Sequence, residues 1–180
     1  MVDDHAFRIQ ESRRQKDHWF REAHDSPIPH AVRHGFVGLD YFPVDPALRF
    51  RARLVEHPTQ EELTFPTSKG TEQRFVRYGY FEVPIGGQTV RVNAFRPVHV
   101  RGGHDYLFVP FRDATSGKET YGAGRYVDLE VDPSGAYDLD FNVAYNPYCA
   151  YSDDYVCPLP PPENWLPVAI RAGEKAWSGT

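Results

Sequence analysis

The chain lacks any long apolar run, which argues against a membrane protein. No window approaches the roughly 20 consecutive apolar residues that a transmembrane helix requires, although 41% of the 180 residues are hydrophobic. The N-terminal stretch MVDDHAFRIQESRRQKDHWFREA also has no apolar core of the kind that a secretory signal needs. We therefore expect a cytoplasmic protein with no membrane partner.

Positive charge is also scarce. The chain has 20 Lys and Arg against 25 Asp and Glu, a formal net charge of -5. Proteins that bind nucleic acid or anionic lipid use an excess of basic residues to neutralise phosphates. The composition therefore predicts no nucleic-acid partner and leaves a small polar molecule as the partner to consider.

Cysteine is nearly absent, with only Cys149 and Cys157. Structural zinc needs four ligands, and no second cysteine pair or Cys-His module completes a set. His30 and His34 are four residues apart but have no carboxylate motif between them, so we predict no metal site, and the cofactor stays unknown. A disulfide fits the cysteine spacing but not a reducing cytosol, and a catalytic thiolate has no histidine nearby in sequence. We expect two packed thiols.

Two phosphate-binding motifs are missing from the glycine-rich loop at residues 111–124. A P-loop needs a glycine five positions before Gly117, where Arg112 stands. A dinucleotide fingerprint that starts at Gly122 needs its third glycine where Val127 stands. A loop of this length is still more often functional than a short one, so it stays a candidate site without a familiar mechanism.

Turn-forming residues and aromatic rings are plentiful. The chain has 16 Pro, 14 Gly, 12 Phe and 11 Tyr, which favours strands joined by turns over long helices. One core suffices for a chain of 180 residues. We predict a single domain over 1–180, with a helical segment at 1–26, a β core at 36–142 and a proline-rich tail at 143–180 that closes onto the core.

One helix is predicted at His5–Ala23, the only long stretch free of Pro and Gly. Asp3 or Asp4 can cap its start by accepting hydrogen bonds from exposed backbone N–H groups. Its apolar residues are sparse, so we expect it to lie on the surface and to dock by its C-terminal end.

Period-two alternation of apolar and polar residues predicts the strands. Gly86-Gly87 predicts a tight hairpin between two of them, because glycine accepts the positive φ of such turns. The predicted strands are Leu48–Leu54, Arg74–Val83, Gln88–Phe95, His104–Phe111, Arg125–Val131, Tyr137–Phe141 and Leu166–Arg171.

The turn Asp132-Pro133-Ser134-Gly135 predicts a second hairpin between 125–131 and 137–141. The register that puts the apolar residues of both strands on one face also sets Asp128 opposite Asp140 and Glu130 opposite Asp138. Like charges in opposite positions destabilise a sheet unless something compensates them.

Three compensations for this acidic row stay open. The first is solvent together with a neighbouring strand that carries Arg49, Arg51 and Arg53. A bound cation is the second, and a carboxylate pair that shares one proton, and thereby gives a general acid, is the third. Asp140 is the best single candidate for the second or the third, because it leads directly into Asn142, Tyr145 and Asn146.

The segment from Phe111 to Asn164 holds most of the chemically distinctive side chains, and we expect the 111–124 loop and the 142–164 tail to converge. Tyrosine rings would supply contact area, and polar groups would orient a ligand. The candidate ligand-binding residues are Arg112, Thr115, Ser116, Tyr121, Arg125, Tyr126, Asn142, Tyr145 and Asn146. Asp140 and Asp113 are the candidate catalytic acids or bases.

Long motifs in this chain resemble the bacterial and archaeal family known as domain of unknown function sixteen-eighty-four. The resemblance spans Arg13 to Lys175 and implies no catalytic residue, cofactor or partner. The motifs are FRDATSGKETYGAGRYVDL, DFNVAYNPYCAY and CPLPPPENWLPVAIRAGEK, with the earlier DSPIP, FVGLDYFPVD and PTSKG.

The predicted fold is mainly β: a single antiparallel barrel or curved sandwich with the N-terminal helix packed outside. Three functions stay open. The first is binding of a small polar or aromatic ligand at a barrel mouth, and the second is an enzyme in which Asp140 or Asp113 acts with Arg112 or Arg125. The third is a structural domain whose polar motif is a hydrogen-bonded plug. Unpaired Arg and Asp side chains in a cavity favour the first two, and a buried, mutually bonded set favours the plug.

Overall fold

One long helix and eight strands form the fold of residues 4–99 and 101–179, the part of the chain that our computed structural model describes. Helix α1 is Asp4–Glu22 and the short helix α2 is His30–Arg33. The strands are β1 Arg49–Arg53, β2 Val55–Glu56, β3 Glu62–Pro66, β4 Glu72–Ile85, β5 Gln88–Pro97, β6 Tyr106–Phe111, β7 Arg125–Glu130 and β8 Ala136–Asp140. The strands predicted between 48 and 141 are confirmed with small shifts at their ends, and β2 and β3 are additional.

Strand β4 is the centre of the larger sheet. On one side it pairs with β5, which is followed by β6 and β7, and on the other side it pairs with β2 and β3 in turn. All of these pairs are antiparallel. Gly86 and Gly87 join β4 to β5 with φ values of 61° and 78°, as a two-residue hairpin turn requires. The predicted hairpin is confirmed.

The second predicted hairpin is wrong, because β7 and β8 belong to different sheets. The turn itself forms: Gly135 N donates to Asp132 O at 3.1 Å, and Ser134 N donates to Asp132 Oδ1 at 2.8 Å. Beyond the turn, however, β7 pairs with β6, and β8 pairs with β1 in a two-stranded sheet. The row with Asp128 opposite Asp140 therefore does not exist.

Charge explains why β1 is the better partner for β8. Their register sets Arg49 opposite Asp140 and Arg51 opposite Asp138, so opposite charges replace the like charges of the hairpin. The guanidinium of Arg49 donates to both carboxylate oxygens of Asp138, from Nε at 2.9 Å and from Nη2 at 2.8 Å. This contact lowers the pKa of Asp138. The first of the three compensations, a neighbouring arginine strand, is confirmed for Asp138.

The two sheets share one apolar cluster. Ala52 of β1 and Leu139 of β8 are buried in it together with Phe81, Val92 and Leu107 of the larger sheet. The larger sheet covers its opposite face with a second, aromatic cluster on β3 to β7, in which ring centroids lie 4.6 to 5.2 Å apart. That cluster is Phe65, Phe75, Phe95, Phe108 and Tyr126. Strand alternation thus places Tyr126 on the face opposite to Val127.

Helix α1 docks by both of its ends, whereas the sequence predicted its C-terminal end only. Phe20 is buried among Phe36, Tyr148 and Tyr151, and ring centroids in this third cluster lie 5.3 to 6.3 Å from Phe20. At the other end His5 and Ile9 are also buried. Of the two proposed N-terminal caps, Asp4 is the first residue of the helix itself, and Asp3 lies outside the described residues.

Residues 166–171 do not form the predicted last strand. Leu166, Val168 and Ile170 alternate as buried residues, as in a strand, but their backbone bonds go to a loop. Leu166 N donates to Arg112 O at 2.8 Å, and Ala114 N donates to Val168 O at 2.9 Å. The alternating burial that the sequence predicts for 166–171 is therefore present. The predicted strand is not, because the backbone of this segment bonds to an irregular loop and not to a neighbouring strand.

The hydrogen-bond ladders among the described residues close neither sheet into a barrel. The structure is mainly β with antiparallel sheets and one long N-terminal helix. Within the described ranges, no helix is both long and apolar enough to cross a membrane.

Replacing Gly87 with alanine tests the hairpin. The positive φ at this position costs an L-residue about 1 to 2 kcal/mol, and nothing within 4 Å obstructs the added methyl group, so strain is the whole effect. We expect Gly87→Ala to lower the free energy of unfolding by that amount in urea titrations. Gly122→Ala is the control, because Gly122 has no positive φ and a new Cβ there meets only ordinary contacts. Equal losses from the two changes would contradict the turn assignment.

Candidate functional site

The Asp113 carboxylate is the centre of the 111–124 loop and is fully buried. Thr115 Oγ1 donates to both of its oxygens at 2.9 Å, and Ser116 Oγ donates to Oδ1 at 3.3 Å. The backbone N–H of Ile170 donates to Oδ2 at 2.6 Å. The loop therefore folds around this carboxylate, which also holds the tail.

Arg125, the first residue of β7, faces the same tail segment. Its Nη2 donates to the carbonyl of Ile170 at 2.8 Å, and its Nη1 donates to the carbonyls of Ala172 and Glu174. Nη2 also lies 3.5 Å from Asp113 Oδ1. Burial lowers the pKa of Arg125, and the charge of Asp113 opposes that effect.

The Asp113–Arg125 pair replaces a missing strand. In an extended chain every second carbonyl points to the same edge, as those of residues 170, 172 and 174 do here. A buried carbonyl or N–H group without a hydrogen-bond partner is costly. Arg125 satisfies these carbonyls and Asp113 satisfies the N–H of Ile170. An arginine–aspartate pair thus supplies the donors and acceptor that a neighbouring strand would provide.

Arg112 and Tyr121 lie near this pair but serve other contacts. Arg112 binds the tail through its backbone, donating from N to Asn164 O at 3.0 Å, and its guanidinium lies over the Trp165 ring at 4.8 Å. Tyr121 Oη lies 3.7 Å from Cys149 Sγ. A Cβ atom on Gly124 would lie 2.8 Å from Pro160 Cγ. The predicted convergence of the loop and the tail is confirmed by these contacts.

Asp140 forms a separate hydrogen-bond network at the end of β8. Its Oδ2 lies 2.6 Å from His5 Nε2, and its Oδ1 accepts from the backbone N and from Nδ2 of Asn142 at 2.9 and 2.8 Å. Asn142 also bonds both backbone groups of Asp45, at 2.8 and 2.9 Å. The carboxylate and the amide join α1, the segment before β1 and the end of β8.

Tyr126, Tyr145 and Asn146 form the third group. Tyr126 Oη donates to Pro158 O, and Tyr145 Oη donates to Asp128 Oδ2 at 2.6 Å. Asn146 Nδ2 donates to Lys175 O at 3.0 Å. The two tyrosines also exchange backbone hydrogen bonds, at 2.9 and 3.0 Å. Both hydroxyls are engaged, and the Tyr126 ring is largely buried whereas the Tyr145 ring is half-buried.

The predicted site residues therefore divide into three groups that share no hydrogen bond with one another. Asp113, Thr115, Ser116 and Arg125 form one group, and Asp140 with Asn142 forms another. The polar members of both point at protein partners. Among residues 4–99 and 101–179, no cluster of three His, Cys, Asp or Glu side chains is placed to hold a metal ion.

The sequence reasoning missed several buried polar residues, among them Asn164, Glu174 and His5. Asn164 is fully buried and bonds Asn93 N, Asn93 O and Pro110 O at 2.8 to 2.9 Å. Glu174 is also buried, and accepts from Lys16 Nζ and from Tyr151 Oη at 3.0 Å. Only Asn164 had a signal in the sequence: in PPPENWLP it stands between prolines and Trp165. A polar residue in such rigid, apolar surroundings is often buried and hydrogen-bonded.

A mostly apolar cleft of about 510 Å³ opens beside the third group. Tyr126 comes from β7, Lys16 comes from α1, and the tail supplies the other walls. Tyr148 and Tyr155 meet edge to face with centroids 5.2 Å apart, and Tyr126 and Tyr145 do the same at 5.6 Å. We call this surface the tyrosine cleft. It is lined by Lys16, Tyr126, Tyr145, Pro147, Tyr148, Tyr155, Val156 and Cys157.

Fold and site together define a mainly antiparallel β protein whose distinctive polar residues bind its own loops and tail. The chain belongs to the family described as "Protein of unknown function (DUF1684)", which matches residues 34–175. The expected family is thereby confirmed, although the matched range starts after Arg13 and the DSPIP motif. No curated protein matches the chain.

A solved structure shares both sequence and fold with this chain. It is the solution NMR structure of an uncharacterized protein from gene locus rrnAC0354 of Haloarcula marismortui, with 40% identity and a TM-score of 0.72. The match covers 97% of this chain and 95% of that chain. The mainly β architecture is therefore shared by this Haloarcula marismortui protein.

Changing Asp113 to asparagine tests whether the buried pair is structural. The change keeps the shape but leaves the buried Arg125 charge without its counter-ion, and breaking a buried pair costs about 3 kcal/mol or more. We expect a loss of about that size in the free energy of unfolding, measured by urea titration with an unchanged m-value.

The matched control is Asp138→Asn, which breaks the exposed pair with Arg49. Its side chains are 35% and 43% exposed, and exposed pairs contribute less than about 1 kcal/mol. A loss from Asp113→Asn no greater than that from Asp138→Asn would show that the pair does not hold the tail.

Proposed function

We propose that the protein binds a small, planar and largely apolar molecule in the tyrosine cleft. The observation that carries the proposal is the presence of four tyrosine rings around one open cleft of about 510 Å³. Small-molecule sites are typically clefts of roughly 300 to 1,000 Å³, with aromatic walls and few polar groups. Tyr126 and Tyr145 belong to the candidate set that the sequence suggested for an aromatic ligand.

Charge in the cleft favours a neutral ligand. Lys16 Nζ lies 3.0 Å from both carboxylate oxygens of Glu174, so its charge is already compensated. The ammonium also lies over the Tyr145 ring at 5.3 Å. An anion would have to compete with a buried glutamate for this lysine, whereas an uncharged ring system would not.

Polar selectivity would come from two hydroxyls. Tyr126 and Tyr145 use theirs on Pro158 and Asp128, whereas those of Tyr148 and Tyr155 have no hydrogen-bond partner among the described residues. A phenol both donates and accepts. We therefore expect a ligand with a flat body and one edge that carries a hydrogen-bonding group.

The polar motif supports this cleft from behind as a hydrogen-bonded plug. Asp113, Arg125 and Asn164 join the loop and the tail to the sheet, and the tail in turn presents Tyr148 and Tyr155 to the cleft. Most polar atoms of this network are hydrogen-bonded, with Arg125 Nε the exception, and such a buried network makes its surroundings rigid and favours one arrangement. The proposed site thus lies against the 142–164 tail, and the residues that line it include none from the 111–124 loop.

Two further expectations remain proposals. We propose that the two sheets, which share one core, form the curved sandwich within a single domain of residues 1–180. Acid–base catalysis by Asp140 or Asp113 with Arg112 or Arg125 stays a prediction. The hydrogen bonds that occupy both carboxylates favour the structural role for them.

Ligand-observed NMR tests the cleft directly. Under reducing conditions, we expect members of a panel of planar heteroaromatic compounds to show saturation transfer from the protein. Tyr155→Ala should weaken binding of the best compound by about tenfold, because an aromatic contact with its buried area contributes roughly 1 to 2 kcal/mol.

Tyr80→Ala is the matched control. Tyr80 is half-buried like Tyr155 and lies under the Arg91 guanidinium at 3.8 Å, outside the tyrosine cleft. Its removal should leave the affinity unchanged. No transfer to any planar compound, or equal losses in the two variants, would refute binding in the cleft.

A further inference from the structure

Cys149 and Cys157 lie in contact at the edge of the tyrosine cleft. The backbone N–H of Cys149 donates to Cys157 Sγ at 3.3 Å. The sulfur of Cys157 therefore contacts the backbone of Cys149. Both cysteines are free thiols, Cys149 partly exposed and Cys157 buried. The seven residues between them include the exposed Asp153 and Asp154. The fold has thus brought its two sulfur atoms to one place.

Hydrogen bonds make the two thiols unequal. Tyr121 Oη lies 3.7 Å from Cys149 Sγ, and a thiolate accepts hydrogen bonds from both this hydroxyl and the neighbouring thiol. The hydrogen bond from Cys157 is the main cause that lowers the pKa of Cys149 to about 6. The same contact, together with burial, raises the pKa of Cys157. These opposite shifts favour Cys149 as the thiolate of the pair and Cys157 as the thiol.

The backbone fixes Cys157 in this position. Its N–H donates to Ser68 Oγ at 3.1 Å, and its carbonyl accepts from Ser68 N at 2.9 Å. Both backbone groups of Cys157 are therefore held by Ser68. Pro158 forms a bridge with Thr67 on the same side. A thiol held this firmly beside a partly exposed thiolate is in position to react with it.

We propose that Cys149 and Cys157 form a redox-active pair in which Cys149 attacks a small-molecule disulfide and Cys157 then closes an internal disulfide. Neither packing nor metal binding requires one partly exposed and one buried thiol in contact. The pair does not depend on the proposed ligand, although Cys157 lies in the wall of the same cleft.

The reaction balances with a low-molecular-weight disulfide, RSSR, as the oxidant. The Cys149 thiolate attacks one sulfur of RSSR, the S–S bond breaks, and the departing RS⁻ takes up a proton to give RSH. The Cys157 thiol then loses its proton and attacks Cys149 Sγ, which releases the second RSH. Two protein thiols lose two electrons and two protons, and RSSR gains them.

Oxidised glutathione is the probe for the full-length chain. We expect mass spectrometry of the wild type to show loss of two hydrogen atoms and an internal 149–157 disulfide. Cys157→Ser should instead accumulate one glutathione on Cys149, because no second thiol resolves it. Cys149→Ser should react at least tenfold more slowly than Cys157→Ser, since its remaining thiol is buried and protonated.

The pH dependence of alkylation gives a second readout. At a pKa of about 6, the iodoacetamide rate of Cys149 should be nearly flat between pH 7 and 8.5, where an ordinary thiol rises roughly fifteenfold. The other titratable groups near Cys149 are Cys157 and the Tyr121 and Tyr126 hydroxyls, with Asp153 close to Tyr121. Tyr121→Phe removes one donor and should shift the profile to higher pH.

Three results would overturn the proposal. The first is a wild type that keeps both thiols under conditions that oxidise them after unfolding. The second is a mixed disulfide that persists in the wild type as long as in Cys157→Ser. The third is an equal rate for the two single variants. Each is independent of ligand binding, which is measured with both thiols reduced.

Discussion

The buried Asp113–Arg125 pair is the interaction on which the rest of the structure depends. The tail from 166 to 174 belongs to no sheet, yet it covers the core and buries alternate apolar residues. Its backbone groups need partners there, and the pair supplies them through bonds to Ile170, Ala172 and Glu174. Without these bonds the tail could not lie against β7, and the apolar cluster would be open to water.

This arrangement separates the residues that build the protein from those that present a surface. The buried side chains of Arg125, Asn142 and Asn164 donate to carbonyl groups of distant segments. The buried Asp113 carboxylate accepts from the N–H of Ile170. Tyrosine rings and one partly exposed thiol face the cleft that the tail borders. Buried residues of the types that often signal catalysis bind the protein's own backbone here, and the aromatic residues carry the proposed function.

The sequence predicted well wherever the determining contact is local. The helix of residues 5–23 and the turn at Gly86-Gly87 depend on neighbours in the chain, and both formed as expected. The 125–141 hairpin failed although its turn formed, because the competing partner, β1, lies some 90 positions away in the chain and carries the compensating arginines. Local rules contain no information about such a competitor.

The sequence identified residues of the candidate site but not the partners that these residues bind. Asp113, Arg125 and Asn142 were recognised as distinctive, and all three are buried polar residues. Most of their partners are backbone groups, which look alike at every position of a sequence and cannot be inferred from residue types. The cleft was missed for a related reason: its walls come from α1, β7 and the tail, and only the fold brings these together.

Hydrogen exchange at the Ile170 amide tests the central claim most directly. This N–H donates to Asp113 Oδ2 rather than to a strand, so its protection reports on the pair alone. If the pair anchors the tail as part of the core, the amide should open only with global unfolding, with the same free energy as the slowest amides of β5. An opening free energy several kcal/mol lower would show that the tail detaches by itself, and would contradict the account.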